Sequence, residues 1–175
     1  MKKNQIGLLA ICAATIFMPA MVKAQDKADN DCKKAKAAFI KTDDGMKELF
    51  ANSYGYAIFP QVTKAALIVG GAGASGEVYE KGKQIGTAKM AQVSVGAQVG
   101  GQAYREVIFF ENKEALDRFK GDNFEFSSQV SAVAVKSGVS ANAAYREGVQ
   151  VYTQEINGLM AEASIGGQKF TYKSL

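Results

Sequence analysis

Histidine is absent from this chain, and so is tryptophan; proline and cysteine occur twice each among its 175 residues. The missing imidazole excludes Ser-His-Asp and Cys-His catalysis, the commonest zinc ligand and the usual general base near neutral pH. Mechanisms built on Ser-Lys or on two carboxylates survive that exclusion, but no local motif supports either. Asp43 and Asp44 form a doublet that reads as negative charge at a helix N-terminus. Glu77 and Glu80 flank a hairpin turn and read as exposed strand residues. The chain is therefore expected to be a binding protein and not an enzyme, with no metal and no cofactor.

The two cysteines separate on inspection of the N-terminus. Lys2 and Lys3 precede an apolar run over residues 6–18, Pro19 breaks it, and Val22, Lys23 and Ala24 form a small-x-small cleavage site before Gln25. Residues 1–24 thus read as a secretory signal peptide, too short in its apolar part to span a membrane. A lipoprotein signal with Cys12 as the lipidated residue is the rival, set aside because Ile11 stands where a small side chain is required. Cleavage leaves Cys32 alone, so an intramolecular disulfide is excluded. Cys32 reads as a small apolar helix residue, with an intermolecular bridge as the alternative.

Removal of that leader also takes Lys2, Lys3 and Lys23, so of 21 basic residues 18 remain against 17 acidic ones. A nearly neutral chain gives no ground for a nucleic-acid partner, and any electrostatic partner must meet a local patch. Residues 25–175 are long enough for one domain with a substantial core.

Periodicity predicts an α+β fold. Residues 25–41 read as a helix, with Ala28, Cys32, Ala35 and Phe39 on its apolar side. Thr42 is the expected N-cap of a second helix whose stripe is Met46, Leu49 and Phe50, with Gly55 as a stop soon after. From Tyr56 the period becomes that of strands. A short strand over 57–59 is ended by Pro60, and a second over 63–70, apolar on both faces, is expected at the sheet centre. Residues 77–80 and 84–88 flank a turn at Lys81, Gly82 and Lys83. Further strands are expected over 93–100 and 104–111. A third helix follows, capped by Asn112, buried through Ala115, Leu116 and Phe119, and ended by Gly121. Alternation then predicts strands over 124–135 and 148–155 and a final pair over 158–172, in which Leu159, Ala161, Ala163 and Ile165 share a face and Gly166 and Gly167 make the turn. About eight short strands joined by short turns imply a mostly antiparallel, strongly curved, barrel-like sheet.

The stretch 57–80 is the least ordinary, with Gly70, Gly71, Gly73 and Gly76 close together. Gly71-x-Gly73-x-x-Gly76 matches the dinucleotide fingerprint, but that site needs a helix after its third glycine. Here a hairpin follows, and Gly82-Lys83 leads to Gln84 where a phosphate loop needs Ser or Thr. A nucleotide is not expected; the glycines are expected to let the backbone bend and pack closely. The remaining surface candidate is the N-terminal helix. Lys33, Lys34, Lys36 and Lys41 with Ala35, Phe39 and Ile40 make a locally basic, weakly amphipathic face, of a kind that lies on anionic membranes. An ordinary helix that packs its stripe on the sheet and solvates its lysines is the competing reading.

Three ordered stretches carry a resemblance: YGYAIFPQVTKAALIVGGAGASGEVY at 54–79, SVGAQVGGQAYREVIFFENKEALDRF at 94–119, and GLMAEASIGGQKF at 158–170. Together they resemble the SYLF domain over nearly all of residues 25–175. That resemblance implies a lipid-binding module: eukaryotic members bind phosphoinositides through a basic N-terminal segment, and a yeast member also binds actin filaments. Bacterial members similar to this chain are secreted envelope proteins named as lipid-binding. It implies a periplasmic or secreted protein, peripheral to a membrane, meeting phospholipid headgroups through Lys33, Lys34, Lys36 and Lys41, aided by Phe39. Actin is not an expected ligand in a bacterial envelope. Two alternatives stay open: a structural, self-associating envelope protein, and a carrier holding an acyl chain against the aliphatic faces of 93–99 and 159–165.

Overall fold

A computed structural model of the chain describes residues 18–65, 69–95, 102–121, 124–127, 130–140, 144–157 and 167–175. Two helices, α1 (Met18–Thr42) and α2 (Gly45–Asn52), lead into strands β1 (Gly55–Ala65), β2 (Val69–Glu80), β3 (Lys83–Val95) and β4 (Gln102–Phe110). Helix α3 (Lys113–Lys120) precedes the short β5 (Phe124–Glu125) and β6 (Ala132–Ala134), then β7 (Val149–Asn157) and β8 (Gln168–Ser174). The strands form one eight-stranded sheet in the order β5-β8-β3-β2-β1-β4-β7-β6. Every pairing is antiparallel except β6 with β7. The fold is α+β, as expected.

The sheet curls into a half-barrel, and its core shows it. Phe124 and Phe170 belong to one end of the strand order and Val149, Val151 and Ala132 to the other, yet all pack in one cluster with Leu116 and Phe119 of α3. This concave core is lined by Ala57 and Phe59 of β1 and by Ile108 and Phe110 of β4. The intervening residues Tyr56, Ile58, Val107 and Phe109 face the opposite way, where Cys32, Ala35 and Phe39 of α1 and Met46 and Phe50 of α2 cover them. Strands β1 and β4 are therefore apolar on both faces because helices bury both faces of the sheet centre.

Pro60 does not end a strand. β1 runs through it, and the register slips there against both neighbours, between Ile58 and Thr63 on β2 and between Phe59 and Val62 on β4. A bulge tolerates a residue without an N–H, so the strand expected over 57–59 runs on through 63–65. Val69 and Gly70 of the second expected strand belong to β2, and residues 66–68 lie outside the described residues. The glycine block is likewise no bend. Gly70, Gly71, Gly73 and Gly76 all pair with β3 within a continuous β2. The need for glycine is sharpest at Gly76, where a Cβ would meet the Ile58 carbonyl oxygen at 2.3 Å and Phe59 Cδ1 at 2.7 Å. The β2–β3 turn forms as expected, with Lys81 at φ 48 and Gly82 at φ 78, the paired left-handed residues of a tight hairpin.

Other boundaries moved for tertiary reasons. Thr42 is the last residue of α1, its hydroxyl donating to the Ala38 carbonyl at 3.1 Å. α2 starts at Gly45, and Asp43 is buried at the corner between the helices. The strand expected at 84–88 and the first part of that expected over 93–100 join as β3, residues 96–100 lying outside the described residues. The single strand expected over 124–135 divides into β5 and β6 on opposite sheet edges. Helix α3 matches its sequence signals: Asn112 Oδ1 accepts from the Ala115 N–H at 2.9 Å, and Ala115, Leu116 and Phe119 are buried. Residues 1–17, most of the expected signal peptide, lie outside the described residues, as do Gly166 and the stretch 158–165; α1 runs without a break across Ala24 and Gln25.

Candidate functional site

Helix α1 lies on the convex face of the sheet because Cys32, Ala35 and Phe39, three and four residues apart, form one apolar stripe. The opposite side of the helix presents Lys33, Lys34 and Lys41 to solvent. Lys33 pairs with Asp29 at 2.6 Å and Lys34 with Asp31 at 3.9 Å. The side chains of Lys33 and Lys34 stay 69% and 70% exposed, so these pairs hold the lysines only weakly and leave them available to an external anion. The hydrogen bond and charge of Asp29 raise the pKa of Lys33, which is fully protonated at neutral pH.

Two of the expected site residues are placed elsewhere. Phe39 is fully buried in the core beneath α1 and cannot enter a lipid surface. Lys36 is half-buried: its Nζ donates to Tyr56 Oη at 3.3 Å and lies 4.7 Å and 5.0 Å from the ring centres of Phe50 and Tyr56. Burial lowers its pKa, and its role is to seal the edge of the core. The basic surface is therefore Lys33, Lys34 and Lys41.

Beneath the helix lies a polar cluster that the sequence does not announce. Glu77, expected on the surface, is 1% exposed. Tyr79 donates to its Oε2 at 2.6 Å and stacks on Tyr56, ring centres 4.7 Å apart. Burial, then the charge of Glu77, pushes the Tyr56 phenol up to about 12. Burial and Glu77 also push the Cys32 thiol up, so it stays protonated and unreactive while folded. The available signal was parity: Glu77 and Tyr79 share one face of β2, and β1 opposes them with Tyr56 and Ile58. Glu80, by contrast, sits at the turn and accepts from Tyr54 Oη at 2.6 Å.

Asp43 has a structural task. Its carboxylate accepts from the Gly45 N–H at 3.1 Å and from the Ser140 N–H at 2.8 Å, tying the α1–α2 corner to a segment 97 residues away. Among the described residues no group of three or more acidic or cysteine side chains is placed to hold a metal, and no helix is long and apolar enough to cross a membrane.

Comparison with known proteins agrees with the stretches that carry the resemblance. Residues 91–174 match the family model described as Ysc84, Las17-binding protein actin regulator. The chain is also 33% identical, over 124 residues, to Beta cell expansion factor A of Aeromonas veronii. That alignment covers 71% of this chain and 48% of the relative, so the chain spans about half the length of the curated relative it matches. Two of the three stretches, 94–119 and 158–170, fall wholly within 91–174, and their described parts supply Ile108, Phe110, Leu116, Phe119 and Phe170 to the concave core. The chain belongs to the SYLF family, which the Ysc84 model describes.

Proposed function

We propose that this protein is a non-catalytic, periplasmic or secreted lipid-binding protein that meets anionic phospholipid headgroups through the solvent face of α1. The observation that carries this reading is the exposure of Lys33, Lys34 and Lys41 on the side of the helix opposite its buried stripe. Because Phe39 is buried, the contact is electrostatic and involves no insertion of an apolar side chain. A lysine near an anionic surface contributes roughly 1 kcal/mol, so three contribute about 3 kcal/mol, on the order of a hundredfold in affinity. Such binding weakens as salt rises, over a screening length of about 10 Å at 0.1 M.

Co-sedimentation tests it. The protein is expected to pellet with phosphatidylglycerol vesicles at low salt and to remain in solution with phosphatidylcholine vesicles. Failure to pellet with either would remove the reading. The family description names Las17 and actin as partners of its own members; nothing on the α1 face requires them here.

A further inference from the structure

Ala28 belongs to the apolar side of α1, yet it is exposed, beside a gap between the helix and strands β2 and β3. An open-sided cavity of about 480 Å³ lies in the gap. Its walls include Lys27, Ala28 and Cys32 from the helix and Glu77, Thr87 and Lys89 from β2 and β3. Its volume falls in the range of small-molecule sites, roughly 300–1,000 Å³.

Glu77 is the informative wall. Tyr79 satisfies Oε2, but Oε1 has no hydrogen-bond partner among the described residues. The neighbouring Cys32 thiol, whose pKa burial and Glu77 raise, donates to the Ile58 carbonyl at 3.8 Å. A buried carboxylate oxygen without a donor is costly, and a bound ammonium or hydroxyl would relieve that cost. Opposite charge stands close by. Lys27 and Lys89 are exposed at the rim, and neither forms an ion pair with a described residue. Asp31, the second acidic residue of the lining, is partly exposed and lies 3.9 Å from Lys34.

Strand register sets the spacing. Glu77 pairs with Thr87 and Ser75 with Lys89, so the acid and the ammonium occupy successive cross-strand pairs of one face. Two residues along a strand span about 7 Å. A buried anion and an exposed cation on diagonal neighbours of two strands complement a short dipolar ligand better than a simple ion.

We propose that this cavity binds a small zwitterion with a primary ammonium and a phosphate, the ammonium donating to Glu77 and the phosphate meeting Lys89 and Lys27. An aminoethyl phosphate group has this chemistry and span, either free or as the headgroup of a phospholipid. The site shares no side chain with the Lys33, Lys34 and Lys41 surface, so it stands or falls independently of vesicle binding.

The test is calorimetric titration of the folded protein with phosphoethanolamine and with monomeric dihexanoyl phosphatidylethanolamine, using dihexanoyl phosphatidylglycerol as the control without an ammonium. Saturable binding of the ammonium ligands, weakened about tenfold or more by Glu77→Gln, is the expected result. Lys89→Glu is a surface change and should weaken binding similarly even if Glu77→Gln proves poorly folded. Binding of both ammonium ligands supports a free headgroup as the source, and binding of the lipid alone supports a membrane source. The proposal is overturned if neither ammonium ligand binds, if phosphatidylglycerol binds as well, or if Lys89→Glu leaves affinity unchanged.

Discussion

Asp43 shows how one residue can exceed its local reading. Its sequence neighbours mark it as helix-end charge, but its carboxylate joins two segments through the Ser140 and Gly45 N–H groups. Burial alone would raise its pKa; the N–H groups of Ser140 and Gly45 overcome that and hold it below the usual carboxylate range. A depressed folded-state pKa contributes stability that is present above the unfolded value and lost as pH falls through the folded value. Urea titrations at falling pH should therefore show wild-type stability declining below about pH 4, with Asp43→Asn destabilised at pH 7 by about 2 kcal/mol and flatter in acid. Gly76 gives a second expectation. Gly76→Ala forces a Cβ against the Ile58 carbonyl oxygen and the Phe59 ring, and thermal unfolding should report a loss of about 1–3 kcal/mol. Cys32, buried with its pKa raised, should react with a thiol reagent only after denaturant is added. Labelling of the native protein at the rate of an exposed thiol would contradict that placement.

Helix α1 and the hairpins show which elements were legible in the sequence. The α3 signals were complete in themselves: a capping Asn112, an apolar stripe, a terminating Gly121. The Lys81-Gly82 turn was likewise readable, because two left-handed residues are a local demand. What depends on pairing was not. Pro60 reads as a stop, yet the slip in register on both sides lets β1 pass through it. The glycine block reads as a place of bending and close packing; the packing holds, at Gly76 against β1, and the bend does not. Of the lysine surface, three positions were visible in the sequence. Phe39 was assigned to the surface although it stood on the apolar stripe, and Lys36, one turn from Cys32 and Phe39, follows that stripe to the edge of the core. This yields a separable pair of expectations. Phe39→Ala should cost about 3–5 kcal/mol in stability, while glutamate at positions 33, 34 and 41 should leave the unfolding temperature nearly unchanged.

At the scale of the whole molecule, one curled sheet carries two cores with different tasks. The concave core, closed by α3 and by the short strands at both sheet edges, draws most of its buried residues from the region matched by the family model. The convex core seats α1 and so fixes which of its side chains face outward. Alternation of small and apolar residues foretold a curved α+β sheet; it did not foretell that β5 and β6 would close opposite edges, since a strand's faces do not name its partner. The aliphatic faces that motivated an acyl-chain carrier, over 93–99 and 159–165, lie largely outside the described residues. The central claim is that the rigidly seated helix presents its exposed lysines to an anionic surface. Equilibrium binding to phosphatidylglycerol vesicles, measured across a salt series for the native protein and for Lys33→Glu, Lys34→Glu, Lys41→Glu combined, tests it most directly. Affinity should fall steeply with salt, and the triple variant should lose at least about a hundredfold at low salt, because reversal adds repulsion to the lost attraction. Equal affinity of the two proteins, or binding insensitive to salt, would contradict it.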